Sequence, residues 1–231
     1  MKTLCSLLLL AATAGAADEP AFQALFPKDG VPAGWVVRHW ADVGKSAQGT
    51  PLWSVKGEVL TGAGDRGCWL MSEKEYGDFE LEYEFRIGPR GNSGLALRSP
   101  LQGDPAFDGL ELQMADVRYN PQATPAELTG GIYRAIAPTA QVYQPEQWNK
   151  VKVSLIGTKL TVEMNGKVIH DTDLATHSEV VLRHDGTIAP PLKDRPRRGH
   201  LGFQNLSRDN GQVEIRGTRI KELDAKPAPQ P

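Results

Sequence analysis

Cysteine is scarce in this chain of 231 residues, and neither a long apolar run nor an extended basic stripe occurs in it. There are only two cysteines, Cys5 and Cys68. Cys5 lies in an apolar run, Leu4–Ala12, that is too short to span a bilayer. With Lys2 before it and the small residues Ala14-Gly15-Ala16-Ala17 after it, that run reads as an export signal over residues 1–17. No small-residue box ends on Cys5 to mark a lipoprotein. Removal of the signal would leave Cys68 alone, without an internal disulfide, and a periplasmic or secreted protein that depends on its core. The formal net charge of −2 gives no field for nucleic acid, and no basic amphipathic helix suggests a membrane surface. Arg195–Arg198 is locally basic and reads as a solvated loop, with a phosphate or acidic ligand as the other reading. No stretch keeps a 3.6-residue apolar period for three turns.

The dominant period is two. Phe79, Leu81, Tyr83, Phe85 and Ile87 alternate with Glu80, Glu82, Glu84 and Arg86, the pattern of a strand with one wet face. Gly157-Thr158 separates Val151–Ile156 from Lys159–Met164 as a hairpin turn. Asn165-Gly166 is a type I′ signal leading into Lys167–His170. Val213–Arg216 and Thr218–Leu223 read as closing edge or penultimate strands. The expected fold is all-β, an antiparallel two-sheet β-sandwich of jelly-roll type, with under about a tenth helix. Phe79, Leu81, Phe85, Leu110, Leu112, Val153, Leu155, Val162 and Phe203 are its expected core. One domain is expected over residues 22–224, followed by a proline-rich, unstructured tail at 225–231. Ser99–Asp108 and Thr176–Arg198 are loop-like, and loops this long in a compact domain are usually functional or disordered.

Three strand-like stretches carry polar groups opposite apolar ones. Ala96 and Arg98 oppose Leu95 and Leu97; Glu111 and Gln113 oppose Leu110, Leu112 and Met114; His200 and Gln204 oppose Leu201 and Phe203. A routine wet face would be Lys, Glu and Thr. Arg, Glu, Gln and His among Gly and Ala suit a sheet that receives a hydrogen-bonding ligand.

The order of short blocks narrows this further. Leu25-Phe26, Asp29-Gly30, Gly34-Trp35, Trp53-Ser54-Val55 and Tyr76-Gly77-Asp78-Phe79-Glu80-Leu81 come first. Gly91-Asn92-Ser93-Gly94-Leu95, Gly109-Leu110-Glu111-Leu112-Gln113 with Asp116, and Gly130-Gly131-Ile132-Tyr133 follow. Gln147-Trp148-Asn149, Asn165-Gly166-Lys167, Gly199–Gln204 and Ile220-Lys221-Glu222-Leu223 end the series. Over residues 22–224 this resembles the 3-keto-disaccharide hydrolase domain family. The resemblance implies a concanavalin-like jelly roll with a polar, carbohydrate-facing concave side, acting on 3-keto-glycosides. The ketone acidifies the C2 proton, so a base can remove it, the C1 aglycone can leave, and water can add back. That route needs a base, a stabiliser for the enolate oxygen and an acid for the leaving group. The chain departs from the family at one point. Members often follow the late Gln with Asp-His-Gly, whereas Gln204 is followed by Asn205-Leu206-Ser207. His200 or His184 would have to substitute, or activity would be altered or absent.

The catalytic candidates are Glu111, Arg98 and His200. Glu111 is the first choice for acid or base; the alternative is a structural carboxylate paired with an arginine. Arg98 would hold Glu111 ionised or grip a ligand oxygen. His200 would titrate near neutral pH or serve as a structural histidine. The binding candidates are Gln113, Asp116, Asn92, Tyr133 and Gln204. Gln113 suits a sugar hydroxyl, since its amide both donates and accepts. Asp116 is a site residue or a turn cap, Asn92 heads a turn or a close approach to ligand, and Tyr133 stacks on a pyranose or fills the core. Trp148 reads as structural. No pattern marks a metal site and no cofactor is expected, although calcium held by loop carbonyls would leave no sequence signal. The implied partner is a carbohydrate, with no nucleic acid and no membrane span; oligomeric state leaves no sequence signal. The rival to an enzyme is a non-catalytic carbohydrate-binding module. A carboxylate-pair glycosidase is a third reading and needs a second acid about 5–10 Å from Glu111.

Overall fold

The computed structural model describes residues 20–209 and 211–223; the expected signal, 1–17, and tail, 225–231, lie outside the described residues. The chain begins with β1 (Gln23–Ala24), β2 (Trp35–His39), β3 (Asp42–Ser46), β4 (Pro51–Lys56), β5 (Val59–Gly64) and β6 (Cys68–Tyr76). Next come β7 (Phe79–Ile87), β8 (Asn92–Ser99), a one-turn helix α1 (Pro105–Asp108) and β9 (Leu110–Ala115). β10 (Asn149–Ile156), β11 (Lys159–Met164) and β12 (Lys167–Asp173) form a meander. A small hairpin of β13 (Val181–Leu182) and β14 (Ile188–Ala189) precedes β15 (Gly199–Asn205) and β16 (Val213–Glu222). Among the described residues the only other helical pieces are three short 3-10 turns.

Two antiparallel sheets make a concanavalin-like jelly roll, as the alternation predicts. One runs β12-β11-β10-β7-β16-β5-β4, with β1 added along β16; the other runs β3-β2-β6-β15-β8-β9. The nine expected core side chains are at most 2% exposed. Each large apolar side chain so placed contributes about 1.5–3 kcal/mol relative to exposure. Asn165 (φ 51°) and Gly166 (φ 81°) turn β11 into β12 with the two positive φ values of a type I′ turn.

Two irregularities depart from the sequence reading. Val213–Glu222 is one strand in the middle of its sheet, between β7 and β5, rather than an edge pair. A bulge between Arg216 and Arg219, with Gly217 at φ 60°, switches parity so that Val213, Ile215 and Ile220 all face the core. The other bulge crosses the six-stranded sheet opposite Leu201. β15 pairs His200 with Glu75 but Gly202 with Met71, and on its other side His200 with Ser99 but Gly202 with Ala96. Residues beyond the regular count are therefore held by β6 and by β8, where Arg98 takes φ 50°.

Among the described residues no helix is long and apolar enough to cross a membrane.

Candidate functional site

The candidate site lies on the outward face of the six-stranded sheet, over β8, β9 and β15. Gly94 lies opposite Gln113, and Ala96 opposite Glu111. On β15, Gly202 and Gln204 share that face, since Leu201 and Phe203 point to the core. Small residues on β8 leave room for the polar side chains of β9. A Cβ added at Gly94 would lie 1.9 Å from Glu111 Oε1, so the carboxyl rests directly over the Gly94 backbone. The segment Gly130–Tyr133 continues the sheet beyond β9: Gly130 N donates to Gln113 O, and Tyr133 N to Glu111 O. That pairing puts Tyr133 beside Glu111.

These residues line a cavity of ≈ 460 Å³, within the range of about 300–1,000 Å³ usual for small-molecule sites. Glu111, Gln113, Asn92, Gln204 and Tyr133 all border it. Asp104 enters from the start of α1, Arg66 and Leu206 from one side, and Arg134 and His184 from the other. Asp116 borders an adjoining hollow of ≈ 40 Å³. Its carboxylate is held by the Arg118 backbone N–H and guanidinium at 2.6–2.9 Å.

Glu111 is 2% exposed, and its Oε1 is buried without a hydrogen-bond partner. Burial first, and then the nearby Asp104 charge, hold its carboxyl well above the usual carboxylate range. Asp104 caps α1, accepting from Ala106 N at 3.1 Å. Burial raises it to about 6; the Ala106 N–H opposes, Asp108 adds to the rise, and Arg183 and Arg195 oppose it further. Burial and then Glu111 keep the Tyr133 phenol far above its ordinary value. Burial and then Arg134 lower His184. The cations at the cavity have partners of their own. Arg66 donates to Leu206 O and Tyr119 Oη, and Arg134 to Glu127 at 2.8 Å. Asn92 Oδ1 is buried and unpartnered. Among the described residues no group of three or more His, Cys, Asp or Glu could hold a metal ion.

Two sequence candidates lie elsewhere, and the bulge opposite Leu201 explains both. Arg98 does not meet Glu111. Its left-handed φ turns it inward, 1% exposed, where it donates to Gly77 O, Leu155 O, Gly157 O and Asp78 Oδ1 at 2.6–3.1 Å. His200 loses the face of Gln204 and fills the β6 bulge instead. Its Nδ1 lies 2.8 Å from Ser72 O and its Nε2 3.5 Å from Glu75. Where the resemblance leads one to expect a histidine, Leu206 borders the cavity, while His184 reaches it from the loop between β13 and β14. The sequence reading missed Asp104, Arg66, Glu127 and Arg134. Asp104-Pro105 is a helix-start signal inside a loop-like stretch, and Thr124-Pro125-Ala126-Glu127 is a capping box that folds as one.

Comparison with known proteins agrees with this architecture. A candidate glycosyl hydrolase from Parabacteroides distasonis ATCC 8503 aligns with a TM-score of 0.70 at 23% identity, over 88% of this chain and 100% of its own. A second from the same organism gives 0.67 at 20%, over 88% and 94%. LamAcat from Zobellia galactanivorans gives 0.51 at 11%, over 89% and 98%. At these identities the likeness is one of fold. No curated protein sequence matches the chain. The 3-keto-alpha-glucoside-1,2-lyase-like domain family matches residues 21–221, and the chain belongs to that family.

Proposed function

We propose that this is an exported hydrolase or lyase that cleaves 3-keto-glycosides by removing the C2 proton and expelling the C1 aglycone. The observation that carries the reading is Glu111, a buried carboxyl with an unpartnered oxygen, bordering a cavity that also presents the amides of Asn92, Gln113, Asn120 and Gln204. A structural carboxylate would be matched by a cation or donors. An unmatched one that borders a cavity suits proton transfer. Gln113, Asn92 and Gln204 supply amides for sugar hydroxyls. Tyr133, kept as a phenol, can donate to the enolate oxygen that develops at C3. The family's own description supports the 3-keto substrate class. The apolar run behind Lys2 supports export to the periplasm or beyond.

The test is aglycone release from a 3-keto-glucoside, with sugar binding measured separately. Wild type releases the aglycone, and Glu111→Gln keeps binding but loses at least about 100-fold in turnover, the scale of a lost proton-transfer group. Wild type that binds the sugar and never releases the aglycone would make this a carbohydrate-binding module. The apolar Leu206 in place of the family's histidine is the feature that favours that second reading.

A further inference from the structure

Within the reading just given, we propose a division of labour between two carboxyls: Asp104 removes the C2 proton, and Glu111 gives the leaving oxygen its proton. Asp104 borders the same cavity as Glu111 and comes from the neighbouring element, α1. The surroundings of the two differ in kind. Glu111 has a fully buried, unpartnered oxygen, and no ion pair to it occurs among the described residues; Arg66 and Arg134 are both engaged elsewhere. A carboxyl so placed is stable only with its proton on. Asp104 accepts the Ala106 N–H, and two guanidiniums stand behind its helix. Arg195 donates to Ala106 O and Gly109 O, and Arg183 pairs with Asp108. Negative charge costs less there than at Glu111. Where two groups are pushed apart in this way, the one that keeps its proton is the acid and the other the base.

The step balances without a redox partner. The C2–H pair becomes the C1=C2 bond through the enolate, the proton passes to Asp104, and the C1–O bond breaks. The departing oxygen takes the Glu111 proton. In the return direction water adds hydroxide at C1 and leaves its proton on Glu111, while Asp104 returns a proton to C2.

The experiment is deuterium exchange in heavy water at C2 of 3-keto-1,5-anhydroglucitol, which has the ketone and the C2 hydrogen but nothing at C1 to expel. Wild type exchanges; Asp104→Asn slows exchange at least about 100-fold, while Glu111→Gln stays within about tenfold of wild type. The release defect of Glu111→Gln is larger for a methyl than for a p-nitrophenyl 3-keto-glucoside, because the poorer leaving group needs the proton more. Asparagine is itself a good N-cap and retains an oxygen for Ala106 N, so the variant is expected to fold. Should it not fold, the wild-type pH profile of exchange decides. It rises through about 6 and then levels, as a base facing Asp108, Arg183, Arg195 and Glu111 requires. A profile still climbing well above neutrality overturns the proposal. So does exchange lost in Glu111→Gln, alone or together with Asp104→Asn. Wild type that binds the keto sugar but neither exchanges nor releases overturns the parent reading as well.

Discussion

The absence of one Cβ governs the reactive carboxyl. Gly94 sits in a regular strand without a positive φ, so its sequence identity is set by space and not by backbone conformation. Gly94→Ala should drive the Glu111 carboxyl off its seat. The expected result is a loss of aglycone release comparable to that of Glu111→Gln, with a stability cost of about 1–3 kcal/mol from overpacking. Release rates, alongside urea melts, check it; a fully active Gly94→Ala protein would show that the seat is irrelevant. Alternation was enough to place Glu111, Gln113 and Gln204 on one outward face, because β9 and the end of β15 keep a strict period of two. It failed for Arg98 and His200, because their parity is broken by extra residues on β6 and β8 that no local sequence pattern marks. Asp104 was out of reach for a different reason. Asp104-Pro105 announces a helix start, but that the turn of α1 folds the Asp104 carboxyl back to the cavity beside β9 leaves no local signal.

The bulge opposite Leu201 also has a structural use among the elements. It sends Arg98 from the end of β8 across to the turns that join β6 to β7 and β10 to β11, so one guanidinium ties the two sheets at that end. Arg98→Met would leave three carbonyls and Asp78 without that donor. Asp78 is about a third exposed and keeps the Gly157 N–H, so the cost falls mainly on the orphaned carbonyls and is about 1–3 kcal/mol. Chemical denaturation should report a loss of that size, while the folded fraction keeps its rate of aglycone release, since Arg98 does not border the cavity. A selective loss of rate at unchanged stability would instead put Arg98 in the chemistry. The hairpins were legible because their turns are local: Asn165-Gly166 announces itself. The bulged β16 looks like two strands in the sequence because Gly217 resembles a break when its partners on either side are unseen.

For the molecule as a whole, the unmatched carboxyl sets a pH dependence of stability. The folded state raises Glu111, and Asp104 to about 6, above their unfolded values. Their stabilising contribution is therefore complete below the unfolded value and is lost as pH rises through the folded one. Glu111→Gln removes the Glu111 contribution and leaves that of Asp104. The stability gap between Glu111→Gln and wild type should be small near pH 4 and widen in favour of the variant toward pH 8, by at most about 1.4 kcal/mol per pH unit. Thermal melts across that range test it, and a gap independent of pH would mean that Glu111 is not raised. The sheet order has a separate consequence, for how the molecule is assembled in time. β15 joins β6 to β8, and β16 joins β7 to β5. Each of the last two strands is thus the middle of its own sheet. A growing chain that has reached residue 198 holds four unjoined half-sheets, with the faces that should pair still open. Folding must then wait for the final strands, and it proceeds by closing contacts across most of the chain length, a slow topology. Until that moment the nascent polypeptide depends on staying extended or on being shielded from its own open strand edges.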